Sequence, residues 1–161
     1  MASLNLPSFK FSVWFFVCFF SVIMIIQGAK YVSNLSPLCM KCLCHASTSC
    51  NASFGCSRGY CGPFFIPRQY WMDSGKVTLP DDDPDRDNAF SDCSRDYVCS
   101  QRIVENYMAK WGMDCNRDGV TDCNDYAALH FYGKDECEKS LSSTNFGRRY
   151  VTCNPSAGIS L

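Results

Sequence analysis

Apolar residues recur at three- and four-residue steps over residues 95–111, which is the spacing of one face of a helix. The residues on this face are Tyr97, Val104, Tyr107, Met108 and Trp111. Gly112 follows at the position of a C-cap, and either Ser94 or Ser91 can cap the start. The pattern predicts a helix whose aromatic stripe packs into the core.

The segment 39–71 changes from polar to apolar along its length. Its loops over residues 44–61 are rich in Ser, Gly, Asn and Ala, which favour turns over helix interiors. Towards its end the apolar content rises, and we expect Phe64 and Phe65 to enter the core. Core packing is one interpretation of the aromatic residues of this segment, and the candidates that can instead line a binding cleft are Tyr60, Tyr70 and Trp71.

The stretch 76–88, KVTLPDDDPDRDN, has no apolar periodicity. It holds two prolines, and five acids and one basic residue fall within residues 81–87. A run of charges usually marks a solvated face. The stretch therefore predicts a mobile, solvated loop.

The twelve residues 114–125 read DCNRDGVTDCND and allow two interpretations. The side chains of Asp114, Asn116, Asp118 and Asp125 come close to the oxygen-ligand spacing of an EF-hand calcium loop. Against calcium, the eighth position is Thr121 rather than an aliphatic residue, and the two cysteines of the segment can fix the loop by disulfides.

The alternative is that these acids cap turns and a helix. In that interpretation Asp122 and Asp125 form the N-terminal end of a second helix, which ends at Gly133. This helix would carry His130, the one histidine of the chain that the sequence singles out as a candidate for chemistry.

The N-terminus carries an apolar run over residues 11–26, preceded by a single cation, Lys10, and followed by the small residues Gly28 and Ala29. This is the pattern of a secretory signal peptide. We expect residues 1–29 to be cleaved and residues 30–161 to form one mature domain. The alternative is a signal anchor, but the run falls short of the ~20 residues that span a bilayer.

Thirteen cysteines are present, and Cys18 lies in the expected signal peptide. Because the other twelve would reach an oxidising compartment, the sequence predicts six disulfides. A zinc site is the alternative for the C-x2-C-x-C spacing, as it would be in a cytosolic protein. Two pairs can close short loops, Cys44 with Cys50 and Cys56 with Cys61. The remaining cysteines are Cys39, Cys42, Cys93, Cys99, Cys115, Cys123, Cys137 and Cys153.

The expected surface is glycosylated and nearly neutral. Asn34 and Asn51 begin N-glycosylation sequons. Once Lys10 is removed from the fifteen Lys and Arg residues, fourteen remain against sixteen Asp and Glu, a net charge of about −2. This charge does not favour nucleic acid, and we expect no membrane association after signal cleavage.

Several motifs follow one another in a fixed order. C-x2-C-x-C begins at Cys39, a Gly-Cys pair ends at Cys56, Cys61 is followed by Gly62, and the pair Tyr70-Trp71 comes next. The helix SQRIVENYMAKWG and the segment DCNRDGVTDCNDYAALHFYG continue the series. Together they resemble the invertebrate-type lysozymes, the family that includes destabilase, over residues 38–153. His130 matches a histidine of that family.

The resemblance implies an α+β fold, small, disulfide-rich and lysozyme-like, mainly helical with a short β-hairpin around residues 44–66. It implies a glycosidase that hydrolyses β-1,4 bonds of peptidoglycan and takes no cofactor, with structural calcium as the one candidate exception. The partner would be peptidoglycan or a chitin-type glycan, and the localisation extracellular.

The same resemblance points to a loss of chemistry. Glycoside hydrolysis uses two carboxyl groups, and the resemblance places the first, a Glu, at Ser47. It places the second, an Asp, between Cys56 and Cys61, where the four residues include no acid. The first Asp or Glu of the chain is Asp73, so no shift of register supplies either group.

Three hypotheses follow. The first is a secreted, catalytically silent relative that still holds glycan in its cleft. The second is an enzyme, either a lysozyme with displaced acids or a destabilase-type isopeptidase. The third is a disulfide-rich interaction protein without a working cleft. The residues that an isopeptidase would use are Ser47 or Ser74 as nucleophile, with His130 or Lys76 as base.

Overall fold

In the computed structural model, residues 32–157 are described, and they form an α+β fold in which helices dominate. The helices are α1 Pro37–Thr48, α2 Arg68–Asp73, α3 Ala89–Arg95, α4 Tyr97–Trp111, α5 Cys123–Tyr132 and α6 Asn145–Cys153. The strands β1 Cys56–Ser57, β2 Tyr60–Cys61 and β3 Ile66–Pro67 pair antiparallel in the order β1-β2-β3. The fold class predicted from the sequence is confirmed. The expected signal peptide, residues 1–29, lies outside the described residues.

Helix α1 corrects the prediction of turns over residues 44–48, whereas residues 49–61 hold turns and the β1–β2 hairpin, as predicted. Ser36 caps the start of α1, because its Oγ accepts a hydrogen bond from the N–H of Cys39 at 3.1 Å. Its buried face is Cys39, Cys42, Leu43 and Ala46, a helical spacing of three, four and seven residues. The cysteines are therefore part of the apolar face, and the periodicity is missed when they are counted as disulfide partners alone.

The small sheet has three strands, where the sequence predicted a two-stranded hairpin. Arg58 and Gly59 connect β1 to β2, and both have positive φ, 52° and 84°, as a tight two-residue hairpin turn requires. Gly62 follows β2 with φ +72°, and a Cβ there would lie 1.6 Å from the carbonyl oxygen of Ser94. Only glycine lets the sheet approach α3 this closely.

The helix predicted over residues 95–111 is confirmed as α4, and the shorter helix α3 precedes it with a break between the two. The break is at Asp96, whose backbone is extended and whose Oδ1 accepts from the N–H of Cys99 at 2.7 Å. Asp96, not Ser94 or Ser91, is therefore the N-cap of α4. Gly112 is the C-cap, as predicted.

Helix α5 begins with the capping box that the sequence suggested. Asp122 caps the helix, and the carboxylate of Asp125 accepts from the N–H of Asp122 at 2.8 Å. The helix ends at Gly133, as predicted.

Helix α6 was not predicted from the sequence. Thr144 caps it by accepting from the N–H of Gly147 at 2.8 Å. Phe146 and Tyr150, four residues apart, are buried, and α6 packs along α1. This packing brings the C-terminal part of the chain to the cleft described below.

Six disulfides connect the twelve predicted cysteines. The two local pairs, Cys44–Cys50 and Cys56–Cys61, are confirmed. The other four are Cys39–Cys123, Cys42–Cys153, Cys93–Cys99 and Cys115–Cys137. Three of the helices are thereby tied together, since α1 is linked to the start of α5 and to the end of α6.

The stretch 76–88 has neither helix nor strand, as predicted. Its charges are paired in part. Lys76 Nζ lies 2.6 Å from Asp85, and Arg86 contacts Asp82 and Asp92, each at 2.7 Å. These contacts are solvent-exposed, so each adds little to stability. Within the part of the chain that the structure describes, no helix is both long and apolar enough to cross a membrane.

Candidate functional site

A cleft of about 870 Å³ opens between α1, the β2–β3 connection and helices α2, α5 and α6. Three of the predicted site residues line its inner part, namely Ser47, Tyr70 and His130, and Tyr60 lies at its edge. The other lining residues are Phe64, Phe65, Pro67, Gln69, Asp73, Tyr107, Phe131, Tyr132, Gly133, Lys134, Asp135, Asn145, Phe146 and Arg149.

His130 connects three elements of the cleft wall. Its Nε2 lies 2.9 Å from the carbonyl oxygen of Phe64 and 3.3 Å from Oγ of Ser47, and its Nδ1 lies 3.2 Å from the hydroxyl of Tyr70. The rings of Phe64, Tyr70 and Phe146 surround the imidazole. Burial lowers the pKa of His130 to about 4, which the hydrogen bond to Phe64 opposes in part, so the ring is neutral at pH 7.

The partners of the neutral ring fix its tautomer. A backbone carbonyl can only accept, so Nε2 carries the proton and donates it to Phe64. Nδ1 then accepts from the hydroxyl of Tyr70. Nε2 consequently has no lone pair for a proton from Ser47, and His130 in this state is not a general base for that serine.

The hydroxyl of Ser47 has its own acceptor. It donates to the carbonyl oxygen of Leu43, one turn earlier in α1, at 2.9 Å. The carbonyl of Ser47 accepts from a guanidinium nitrogen of Arg149 at 3.3 Å. A hydroxyl and a nearby cation therefore occupy this end of the cleft.

Two carboxylates are found among the described residues that line the cleft, Asp73 and Asp135. Asp73 accepts from the amide of Gln69 at 3.0 Å. Asp135 is paired with Lys134 at 2.8 Å and is 81% exposed at its side chain. Sequence reasoning did not identify either residue, because neither belongs to a motif.

Two pairs of aromatic side chains line the cleft. The rings of Tyr60 and Phe65 stack with centroids 4.5 Å apart and an interplanar angle of 8°. The rings of Phe131 and Phe146 pack with centroids 5.0 Å apart. The expectation that Phe65 enters the core is wrong, since the residue is 37% exposed, whereas Phe64 is fully buried as predicted.

Tyr70 and Trp71 differ in their relation to the cleft. Tyr70 lines it, but its ring stacks on Tyr107 at 3.6 Å, and burial raises the pKa of its hydroxyl well above the usual value. Trp71 is 1% exposed and donates its indole N–H to the carbonyl oxygen of Val77 at 2.7 Å. Trp71 is a core residue, so its assignment to the cleft is corrected.

Ser74 and Lys76, the other candidates for an isopeptidase, are not among the residues that line the cleft. Ser74 is buried, and its hydroxyl donates to the carbonyl oxygen of Trp71 at 2.8 Å. Lys76 pairs with Asp85 on the acidic loop. Of the serines and bases proposed from the sequence, the structure brings Ser47 and His130 together.

The candidate calcium segment is folded by its own side chains. Asp125 is fully buried, and its Oδ1 accepts from the N–H groups of Cys115 and Asn116 at 2.8 and 3.1 Å. Asp114 accepts from the N–H groups of Asp118 and Gly119. Over residues 32–157 no group of three or more His, Cys, Asp or Glu has the arrangement of a metal site. These contacts match the capping interpretation of the segment.

The two sequons lie on the surface. The side chain of Asn34 donates to the carbonyl oxygen of Thr121 at 2.8 Å, and that of Asn51 accepts from the N–H of Ser53 at 2.9 Å. Both asparagines are exposed, and their glycosylation stays a prediction.

Comparison with known proteins identifies the family. The family model described as destabilase matches residues 36–153. The chain belongs to the destabilase family of invertebrate-type lysozymes. It is 30% identical over 115 residues to "Lysozyme" of Ostrea edulis, covering 68% of this chain and 75% of that protein. It is 31% identical over 119 residues to "Lysozyme 1" of Crassostrea virginica, covering 71% of this chain and 58% of that protein.

The fold of this destabilase-family chain is also that of a solved lysozyme. The crystal structure of Tapes japonica lysozyme superposes with a TM-score of 0.55 at 24% identity, covering 76% of this chain and 91% of that one. The resemblance that the motifs indicated is confirmed.

The sequence patterns did not identify several residues that line the cleft. Phe131, Phe146 and Arg149 were not singled out, and Phe65 was assigned to the core. The sequence signal that could have revealed α6 is the N-cap residue Thr144, followed by Phe146 and Tyr150 four residues apart.

Proposed function

We propose that this protein is a secreted member of the destabilase family that holds a glycan in its cleft and hydrolyses it little or not at all. The observation that carries the proposal is Ser47. It lines an open, aromatic-edged cleft and presents a hydroxyl bonded within its own helix, at the position where the resemblance expects the catalytic Glu.

The second catalytic position supports the same conclusion. Between Cys56 and Cys61, Ser57 and Tyr60 pair across the two strands, and Arg58 and Gly59 form the turn. These four residues include no Asp or Glu, and all four are used by the strands and the turn. General acid catalysis alone contributes ~10²–10⁴ in rate, so the absence of both carboxyl groups removes most of the expected activity.

Extracellular localisation is part of the proposal. Six disulfides in the described residues are typical of an oxidising compartment, which is where a secretory signal would direct the chain. The cleft volume of about 870 Å³ lies within the ~300–1,000 Å³ that is usual for ligand sites, and it suits several sugar units. Peptidoglycan and chitin-type glycans are the ligands that the family resemblance suggests.

The alternative with a specific observation in its favour is hydrolysis by displaced acids. Asp73 and Asp135 line the same cleft as Ser47. Asp73 accepts from Gln69, and Asp135 is ion-paired with Lys134. Neither residue lies at a position where the resemblance expects a catalytic carboxyl group.

The other two alternatives are less well supported. The Ser47–His130 distance is short enough for an isopeptidase pair, but the Phe64 carbonyl holds the imidazole proton on the wrong nitrogen. An interaction protein without a cleft function would fill the cleft with side chains, and here about 870 Å³ is open.

The proposal is tested by co-sedimentation of the disulfide-bonded protein with insoluble peptidoglycan and with chitin. Binding to at least one of them is expected. Phe131→Ala, which removes a 45% exposed ring from the cleft edge, should weaken binding. Met113→Ala is the matched control, because Met113 is 43% exposed but does not line the cleft. Absence of binding to both glycans would overturn the proposal.

A further inference from the structure

Phe65 lies between two core residues but points outward. Phe64 and Ile66 are fully buried, while Phe65 is 37% exposed and lines the cleft. The cause is local, because Phe65 has φ +55°, and its N–H closes a turn on the carbonyl oxygen of Gly62 at 3.0 Å. A bulky residue in the left-handed region is unusual and unfavourable.

The exposed ring is held in a three-ring cluster. Tyr60 stacks on Phe65 with nearly parallel rings, and Phe54 packs edge-on against Phe65 at 5.5 Å. Tyr60 is itself 39% exposed and lines the cleft. The pair Tyr60–Phe65 therefore presents an apolar surface to the cleft, and the backbone conformation of Phe65 is one that glycine adopts more easily.

The surroundings of this surface define the ligand chemistry. Hydrogen-bonding groups of Ser47, Gln69 and Asn145 line the same cleft. A ligand that fits both features has a flat apolar face and a polar edge. A pyranose has this shape, with axial C–H groups on its faces and hydroxyl or acetamido groups around its rim.

We propose that Tyr60 and Phe65, supported by Phe54, form a stacking subsite for a neutral pyranose unit of a β-1,4-linked amino-sugar chain. The inference rests on the proposed glycan binding and adds to it the contact residues and the class of sugar. Phe65 is assigned here as a ligand contact, which neither the family resemblance nor the sequence pattern indicated.

The subsite predicts how glycan binding depends on salt concentration. Stacking on an aromatic pair involves no ion pair, so its contribution should persist when salt screens electrostatic attraction. Binding that depended on Arg149 and an acidic group of the ligand would instead weaken steeply with salt. The probe is therefore N-acetylglucosamine tetrasaccharide, which is uncharged.

The experiment measures Kd for this tetrasaccharide by isothermal titration calorimetry, at 0.05 and 0.5 M NaCl. Phe65→Leu keeps an apolar side chain but removes the flat ring, and it should weaken binding by ~tenfold at both salt concentrations. Phe65→Tyr should restore binding to within about twofold, since it keeps the ring. Met113→Ala is the control for an exposed apolar side chain outside the cleft and should leave Kd unchanged. Melting curves of all variants report folding separately.

The outcomes separate the two proposals. Wild-type affinity in Phe65→Leu overturns the subsite and leaves glycan binding in place. Binding to peptidoglycan without binding to the tetrasaccharide also overturns the subsite and leaves the proposed glycan binding in place. A wild-type protein that binds neither the tetrasaccharide nor any insoluble glycan overturns the proposed function, and the subsite with it. If Phe65→Leu loses binding but Phe65→Tyr does not regain it, the ring is not the contact and the subsite is wrong.

Discussion

The carbonyl oxygen of Phe64 lies 2.9 Å from Nε2 of His130, closer than Oγ of Ser47 at 3.3 Å. This relationship assigns the imidazole proton to Nε2, because a carbonyl cannot donate. The opposite tautomer would place the lone pair of Nε2 against the carbonyl oxygen. His130 accordingly links α1, α2 and the β2–β3 connection, and in this tautomer its Nε2 cannot accept a proton from Ser47.

The first prediction concerns the reactivity of Ser47. A fluorophosphonate probe labels serines that a neighbouring base activates. We expect no labelling of the folded protein, since the hydroxyl of Ser47 donates to Leu43 and His130 has no free lone pair towards it. Mass spectrometry after digestion is the measurement. Labelling at Ser47 that disappears in His130→Gln would show a working pair and contradict this assignment.

The second prediction is a loss of stability in mild acid. The pKa of His130 is lowered from 6.5 to about 4 in the folded state. Between these values the unfolded chain binds a proton that the folded chain does not, so the free energy of unfolding falls as pH decreases from about 6.5 to about 4. Part of the ring faces the cleft, where solvent reduces the effect of burial. We therefore expect the free energy of unfolding to fall by roughly 2–3 kcal/mol over this pH range.

Urea unfolding at pH 7 and pH 4 measures this effect. His130→Gln should reduce the difference between the two pH values. The matched control is His45→Gln, which removes the other histidine of the chain and keeps the buried imidazole of His130 in place. A difference that depends on His45 instead would contradict the assignment to His130.

The helices α4 and α5 were largely predictable, because their apolar periods and caps are local features of the sequence. The cap of α5 at Asp122 and its end at Gly133 both follow from short-range rules. The two short disulfides were predictable for the same reason. Helix α1 was missed because its buried face is built partly of cysteines, which the spacing argument treated as disulfide partners.

The site was predictable in part. Ser47 and His130 were singled out although 83 residues separate them, because each belongs to a motif of the resemblance. The role of the Phe64 carbonyl could not be read from the sequence, since every residue has a backbone carbonyl and only the fold decides its direction. The outward turn of Phe65 and the burial of Trp71 depend on backbone conformation in the same way.

The third prediction concerns two disulfides of different span. Cys42–Cys153 closes a separation of 111 residues and ties α6 to α1, whereas Cys56–Cys61 closes a separation of 5. With Cys39–Cys123 intact, the loop that Cys42–Cys153 closes shortens to about 33 residues, so loop-closure entropy assigns roughly 4 kcal/mol to this bridge and roughly 2 kcal/mol to Cys56–Cys61. Thermal melting should therefore show a larger loss for the double variant Cys42→Ala/Cys153→Ala than for Cys56→Ala/Cys61→Ala. Equal losses would contradict the view that the long-range bridge holds α6 at the cleft.

The fourth prediction is that one acid does not restore hydrolysis. In Ser47→Glu the new carboxyl group lies near the guanidinium of Arg149, which contacts the backbone of residue 47. The cation lowers the pKa of the new group and keeps it ionised, which opposes proton donation. The variant also lacks a second carboxylate at the hairpin.

Release of reducing ends from peptidoglycan should stay at the level of the isosteric control Ser47→Gln. A rate for Ser47→Glu ~tenfold or more above Ser47→Gln would mean that another carboxylate already completes the site.

The central claim is that the cleft holds peptidoglycan or chitin-type glycan without cleaving it. The most direct test incubates the unmodified protein with peptidoglycan and measures bound protein and released reducing ends in the same samples. An active invertebrate-type lysozyme and the variant Asp73→Asn/Asp135→Asn are run in parallel. We predict that the protein sediments with the glycan while reducing ends stay at the buffer level. Reducing ends released at a rate comparable to the active lysozyme, and lost in Asp73→Asn/Asp135→Asn, would contradict the claim and assign the chemistry to the displaced acids.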